Sequence, residues 1–132
     1  MRIAHISDIH VRNYKYHYEY REVFQQLFDK LEELKPDIIV NTGDTAHTKC
    51  NLSPEYFNLT SWLFTSLAEI APLHMILGNH DCNVKNSSRL DAVTPLVDAL
   101  EDPNIHFHKY TQEIRLADGI VLNVLSILDQ YK

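Results

Sequence analysis

The alternation of short apolar runs with helical patterns constrains the fold of this chain more than any other feature. Three runs predict strands that are buried on at least one face: residues 2–7, 37–42 and 73–77. Between the first two, apolar residues recur at helical spacing until Pro36 ends the helix. Between the second and third, Ser53 and Pro54 begin a helical stretch that runs to Ile70. The order predicts an α/β fold with parallel strands and helices packed against them.

The second half of the chain predicts a further helix, a strand and a hairpin. The helical pattern covers residues 87–100, with Pro95 as a kink or break. A fourth strand is predicted over residues 104–108. Residues 112–126 predict a hairpin around Ala117, Asp118 and Gly119.

Composition limits the classes of function. The 132 residues suffice for one compact domain. A net charge of −6 argues against a broad basic surface for nucleic acid. The apolar runs fall short of the roughly 20 residues of a membrane helix, so no membrane partner is expected. The two cysteines, Cys50 and Cys82, form no CxxC pair, which favours a reduced, intracellular protein of the cytoplasm, nucleoid or nucleus.

Local charge differs from the total, because basic residues follow the predicted strands. They are Arg12, Lys15, Lys49, Lys85 and Arg89. One interpretation is that these residues form a basic surface around the site for an anionic substrate. The other is that they are ordinary solvated loop charges.

Ligand-type side chains follow each of the three strands. Asp8 and His10 come after the first strand, Asp44 follows Gly43 after the second, and Asn79 and His80 follow Gly78 after the third. Because ligands bind beyond the carboxyl ends of parallel strands, we expect four of these side chains to converge at one sheet edge as candidate ligands: Asp8, His10, Asp44 and Asn79.

The ligand types indicate which metals would bind. Carboxylate, imidazole and amide oxygen without thiolate suit Mn²⁺, Fe²⁺ or Zn²⁺. A carboxylate can bridge two cations, which makes Asp44 the candidate shared ligand. Two metals about 3.5–4 Å apart can activate water and clamp a phosphoryl group.

The motifs "DIH", "GD" and "GNHD" in this order resemble those of the calcineurin-like metallophosphoesterases, over residues 1 to about 81. Within that superfamily the chain is most similar to the SbcD, or meiotic recombination eleven, nucleases. His47, three residues after Asp44, matches a histidine that this branch places near the substrate phosphate. The stretch 52–63 also resembles the loop and helix that follow in the branch.

The resemblance implies a role for each matched residue. Asp8 and His10 would bind the first of two divalent metals, most often Mn²⁺, Asp44 would bridge, and Asn79 would bind the second. His80 would act on the scissile phosphate, stabilising the transition state or protonating the leaving oxygen. His47 would hold the DNA phosphate, and Asp81 would orient its neighbours.

Residues 1–132 are expected to be the N-terminal part of a nuclease domain, because the family's later histidine motifs are not reached. His106 and His108 lack the preceding glycine of such a motif and are predicted to be structural or solvated. His5 and His74 are predicted to be core or edge residues.

The segment after the first motif allows two interpretations. Its tyrosines alternate, at positions 14, 16, 18 and 20. They could form a strand that stacks bases, but packing is favoured because a helix begins by Val23. Arg12, Lys15 and His17 are candidate contacts to the substrate backbone.

Helix 54–70 is apolar on more than one side, so it could meet the third helix or a second copy. The resemblance implies DNA as substrate, and a homodimer and an SbcC-type ATPase as partners.

The leading hypothesis is a two-metal DNA exo- or endonuclease that acts at DNA ends in double-strand-break repair or recombination. A second is another calcineurin-like phosphoesterase that acts on nucleotides or phosphoproteins. A third is a truncated, non-catalytic scaffold or dimerisation module.

Overall fold

The computed structural model describes residues 1–130. The strands are β1 (Ile3–Ile6), β2 (Ile38–Asn41), β3 (Leu73–Met75), β4 (Ile105–Phe107), β5 (Gln112–Ala117) and β6 (Ile120–Val124). The helices are α1 (His17–Leu34), α2 (Pro54–Ile70) and α3 (Thr94–Leu100), and a 3₁₀ turn spans Ile127–Asp129.

Strands β1 to β4 form one parallel sheet in the order β1-β2-β3-β4. Strands β5 and β6 form a separate antiparallel hairpin. Parallel neighbours need crossovers, and α1, α2 and α3 supply them. The carboxyl ends of β1, β2 and β3 therefore lie side by side, which confirms the predicted α/β fold.

The core lies between the sheet and the helices. Helix α1 buries Phe24, Phe28 and Leu31, whose spacing places them on one face. Helix α2 begins at Ser53, whose hydroxyl accepts from the Tyr56 N–H at 3.0 Å. Each large apolar side chain that is fully buried in this core contributes about 1.5–3 kcal/mol.

The surplus apolar surface of α2 is largely buried inside the chain. Trp62 packs against Phe28 of α1, with ring centroids 5.2 Å apart, and the Arg21 guanidinium lies 5.3 Å from the same ring. On another side, the Tyr56 hydroxyl donates to the Ala92 carbonyl at 3.1 Å. The α1 and α3 regions thus cover residues that could otherwise have met a second copy.

The third helix is shorter than predicted. It begins at Thr94 instead of residue 87, and Pro95 lies in its first turn, where its missing N–H costs nothing. The Asp91 carboxylate accepts from the backbone N–H groups of Val93 and Thr94 at 2.8 and 2.5 Å. This side chain satisfies the free N–H groups and so starts the helix after residue 91. The prediction of a helix over 87–100 was wrong for its first half.

One face of the sheet carries imidazoles in register. His5, Val40, His74 and His106 are aligned across β1 to β4. His74 Nδ1 lies 2.9 Å from His108 Nε2, and both side chains are buried. None of these four histidines belongs to the groups of possible metal ligands among the described residues.

Among residues 1–130, no helix combines the length and the apolar character that crossing a membrane requires.

Candidate metal centre

The loops that follow β1 and β2 are joined by backbone hydrogen bonds. The Asp8 N–H donates to the Gly43 carbonyl at 3.0 Å, and the His10 N–H donates to the Asp44 carbonyl at 2.9 Å. The His47 N–H in turn donates to the Val11 carbonyl at 3.0 Å. This ladder continues the β1–β2 pairing past the end of the sheet and holds the first two motifs together.

Three candidate ligands have left-handed backbone conformations. The φ angles are 56° at Asp8, 52° at His10 and 54° at Asp44. Such angles are uncommon outside glycine, and each costs of order 1–3 kcal/mol, which the surrounding structure must offset. The sharp bends turn the side chains toward one another at the sheet edge.

Glycine is required where the second and third loops approach. A Cβ at Gly78 would lie 2.0 Å from Asp44 Oδ1, and a Cβ at Gly43 would lie 2.4 Å from the Gly78 nitrogen. Since real Cβ atoms do not approach this closely, the two loops pack only because both positions lack side chains.

The bends bring carboxylates and imidazoles together in two overlapping groups. Asp8, His10 and Asp44 form the first, and His10, His47 and His80 form the second; within each group the ligand atoms lie within 4.8 Å of one another. His10 Nε2 is 3.6 Å from Asp8 Oδ1 and 3.9 Å from Asp44 Oδ2. These separations exceed hydrogen-bond length and are close to the spacing of ligands around one ion.

The donor set fits divalent metal ions. Carboxylate oxygens and imidazole nitrogens are ligands for Mn²⁺, Fe²⁺ and Zn²⁺. The Nδ1 atom of His10 is buried and has no hydrogen-bond partner among the described residues. Nε2 of the same ring faces the Asp8 and Asp44 carboxylates, so it is the His10 atom that would bind an ion between them. His10 belongs to both groups, which would allow more than one ion.

The groups around Asp8 favour the negatively charged form of its carboxyl, which is the form that binds a cation. A hydrogen bond from the Ser7 hydroxyl, assisted by His10 and His80, lowers the pKa of the Asp8 carboxyl below its usual value. Burial, together with the nearby Arg12 charge and the other two imidazoles, lowers the pKa of His47. His47 is therefore neutral at pH 7, the form in which imidazole binds a metal.

His80 is oriented by its neighbours. Its backbone N–H donates to Asp44 Oδ1 at 2.9 Å, and its Nδ1 lies 3.0 Å from the His47 carbonyl. A carbonyl only accepts, so Nδ1 carries the proton and Nε2 is left for a metal or a substrate. Asn79 is exposed and lines the same cavity as His47 and His80.

Asp81 lies behind the centre and is fully buried. Its carboxylate accepts from the Ala46 N–H at 2.8 Å and from the Gly78 N–H at 2.9 Å. Burial raises the pKa of this carboxyl despite these hydrogen bonds. Asp81 therefore ties the loop after β2 to the loop after β3.

The predicted substrate residues are placed unevenly. Arg12 is half-buried and close enough for its charge to lower the pKa of His47. Lys15 is exposed. His17 Nε2 lies 2.5 Å from the Arg12 carbonyl, so this nitrogen is engaged within the chain.

Most of the tyrosines do not pack, contrary to the favoured interpretation. Tyr14, Tyr16 and Tyr18 are 74%, 58% and 72% exposed. Tyr16 has a φ of 64° just before α1. Tyr18 lies on a different face of α1 from Phe24, which is buried in the core.

From the sequence, Tyr20 was placed only among the alternating tyrosines and Lys49 only among the loop charges. The Tyr20 hydroxyl donates to the His10 carbonyl at 2.8 Å and so supports the first motif from α1. Lys49 Nζ donates to the Asn79 carbonyl at 3.0 Å. Its position two residues after His47 was the available signal for Lys49, whereas the contact of Tyr20 had none.

The fold places a cluster of possible metal ligands at the carboxyl end of a parallel sheet, the arrangement that a metal-dependent hydrolase requires. Residues 1–129 match the calcineurin-like phosphoesterases, so the chain belongs to this family of metal-dependent enzymes. It is also similar to the uncharacterized protein R555 of Acanthamoeba polyphaga mimivirus, with 46% identity over 99 residues. That match covers 73% of this chain and 7% of the length of the viral protein.

Proposed function

We propose that this chain is the catalytic part of a metal-dependent DNA nuclease that hydrolyses phosphodiesters with two divalent ions, Mn²⁺ being well suited to the ligands. The observation that carries the proposal is the meeting of Asp8, His10, Asp44, His47 and His80 at one sheet edge. Bound metal ions would supply an activated water and charge neutralisation at the phosphoryl group.

The residues of the chain have distinct roles in this proposal. Asp8, His10 and Asp44 hold the cations, and Asn79 adds an amide oxygen. His80, with Nδ1 bonded to the His47 carbonyl, presents Nε2 to the phosphate or to the leaving oxygen.

DNA is favoured over smaller substrates by what flanks the centre. Arg12 adds positive charge beside His47. The exposed rings of Tyr14, Tyr16 and Tyr18 lie on the same segment and are suited to stacking on unpaired bases. The action at DNA ends, a homodimer and an SbcC-type ATPase are further proposals that rest on the resemblance to the SbcD nucleases.

The test compares a DNA substrate with a small one under Mn²⁺. Linear DNA and bis(p-nitrophenyl) phosphate are given to the parent chain and to the variants Asp44→Asn and His47→Ala. We expect Asp44→Asn to lower both activities by at least about a hundredfold, because it removes charge from both ions. His47→Ala should reduce DNA cleavage by about tenfold more than cleavage of the small diester.

His106→Ala is the matched control, since this imidazole is exposed on another part of the sheet. Equal losses on both substrates in His47→Ala would remove the support for DNA and favour a phosphoesterase of nucleotides or phosphoproteins. Tight Mn²⁺ binding with no hydrolysis of any phosphoester would favour a non-catalytic scaffold.

A further inference from the structure

A cavity of about 270 Å³ opens beside the metal centre. The residues that line it are His47, Thr48, Lys49, Asn79 and His80. None of these side chains is a carboxylate, and Lys49 and Asn79 carry N–H groups that can donate to an anion. Although the chain has a net charge of −6, the lining itself contains no negative side chain, which suits it to an anion.

Lys49 places a positive charge at this cavity. Its Nζ donates to the Asn79 carbonyl at 3.0 Å, which uses one of the three N–H bonds of the ammonium. This bond leaves two N–H groups of the ammonium for other partners. Among the five residues of the lining, Lys49 is the one with a basic ammonium side chain.

Local hydrogen bonds hold the Lys49 segment in a turn. The Thr48 hydroxyl lies 3.3 Å from both the nitrogen and the carbonyl oxygen of Cys50, so the turn closes around Lys49. Across the cavity, the bond from His80 Nδ1 to the His47 carbonyl fixes the second imidazole. The two segments that border the cavity are therefore held in place by bonds within the chain, which lowers the entropic cost of binding.

We propose that this cavity is a subsite for a phosphate group, with Lys49 as its charged ligand. The inference rests on the proposed function and extends it: the subsite would hold a second phosphate of the substrate, next to the one that is hydrolysed. The enzyme would thus favour substrates with adjacent phosphates, such as an oligonucleotide, over an isolated diester. Lys49 would act in substrate binding and not in the chemical step.

The first experiment measures phosphate binding by the metal-free chain, so that metal-bound phosphate does not contribute. Inorganic phosphate is titrated into EDTA-treated protein, and binding is followed by calorimetry and by the imidazole NMR signals of His47 and His80. We expect saturable binding that Lys49→Met weakens by about fivefold or more and that Lys49→Arg retains within about twofold. Lys85→Met is the control for loss of an exposed lysine charge.

Kinetics with Mn²⁺ then separates binding from positioning. Lys49→Met should raise KM for a short oligonucleotide and leave kcat and the KM of a single diester nearly unchanged. A fall in kcat or Mn²⁺ affinity with unchanged phosphate binding would overturn the proposal, since Lys49 would then only hold the Asn79 loop. Phosphate affinity equal in Lys49→Met and the parent would overturn it as well.

The two proposals can fail separately. If no phosphoester is hydrolysed while phosphate binding still depends on Lys49, the subsite stands and the nuclease proposal fails. If Mn²⁺-dependent hydrolysis is present but phosphate binding is absent or independent of Lys49, the subsite proposal alone fails.

Discussion

Gly78 illustrates how single residues determine the geometry of the metal centre. Its Cα lies against the Asp44 carboxylate, and the Asp81 carboxylate accepts from its N–H at 2.9 Å. Asp44 in turn accepts from the His80 N–H and faces His10. Any side chain at position 78 would displace the Asp44 carboxylate, which contacts both neighbouring motifs.

We expect Gly78→Ala to weaken Mn²⁺ binding by at least about tenfold, because the new methyl would occupy the position of Asp44 Oδ1. Isothermal titration calorimetry measures this directly. The control is Gly119→Ala in the β5–β6 turn, where no atom lies within 4 Å of the new methyl. At Gly119 the φ of +75° should cost roughly 1–2 kcal/mol of stability with metal affinity unchanged. Parental Mn²⁺ affinity in Gly78→Ala would contradict the close packing of the loops.

At the scale of elements, a histidine pair links β3 to the chain just after β4. His74 Nδ1 and His108 Nε2 are 2.9 Å apart, with ring centroids separated by 5.2 Å and planes 19° apart. The rings thus lie nearly end to end and share one proton. His106 also lies close to His74, with its ring 4.7 Å away. Burial, assisted by the neighbouring imidazoles, lowers the pKa of His74 to about 4.

Acidification should therefore destabilise the fold between pH 6.5 and about 4. In the unfolded chain His74 has its ordinary pKa of about 6.5, so the unfolded state binds more protons in this window. The free energy of unfolding is fully retained above pH 6.5 and falls as the pH drops toward 4. Asp81, whose raised pKa acts in the opposite sense, moderates the effect.

Urea unfolding at several pH values measures this dependence. His74→Asn keeps a polar group near the Nδ1 position and should flatten the decline, whereas His5→Asn, at an exposed position in register on the same face, should preserve it. An identical decline in His74→Asn and the parent would contradict the assignment to this pair.

For the whole molecule, the metal centre is a place where folding and binding are coupled. The Asp8, His10 and Asp44 backbones are all in left-handed conformations, and two carboxylates face one imidazole. These arrangements cost free energy that a bound cation would offset. The loops that carry these residues follow two neighbouring strands, β1 and β2, so an ion bound there would connect the ends of both strands.

Mn²⁺ should therefore raise the melting temperature. At a free concentration one hundred times Kd, binding stabilises by about 2.7 kcal/mol. In a domain of this size that corresponds to a shift of roughly 10 °C. Differential scanning calorimetry with Mn²⁺ and with EDTA tests the expectation, and Asp44→Asn should lose most of the shift. A shift of equal size in that variant would indicate that Mn²⁺ binds elsewhere.

Local signals in the sequence were sufficient to predict the alternation of strands and helices. Pro36 and Ser53 mark helix ends through their own backbone chemistry, and the apolar period marks which faces are buried. From the order of the strands it followed that Asp8, His10, Asp44 and Asn79 would converge, because parallel strands end at one edge. Each of these inferences depends on residues near one another in the chain.

Only the tertiary structure decided the contacts between distant segments. The two hydrogen bonds of Asp81, the approach of Gly78 to Asp44 and the His74–His108 pair all depend on how loops and strands pack. The same holds for Lys49, whose cavity is closed by the loop after β3. A sequence pattern records periodicity and local backbone preference, whereas these contacts depend on interatomic distances that arise only when the whole sheet and its helices have assembled.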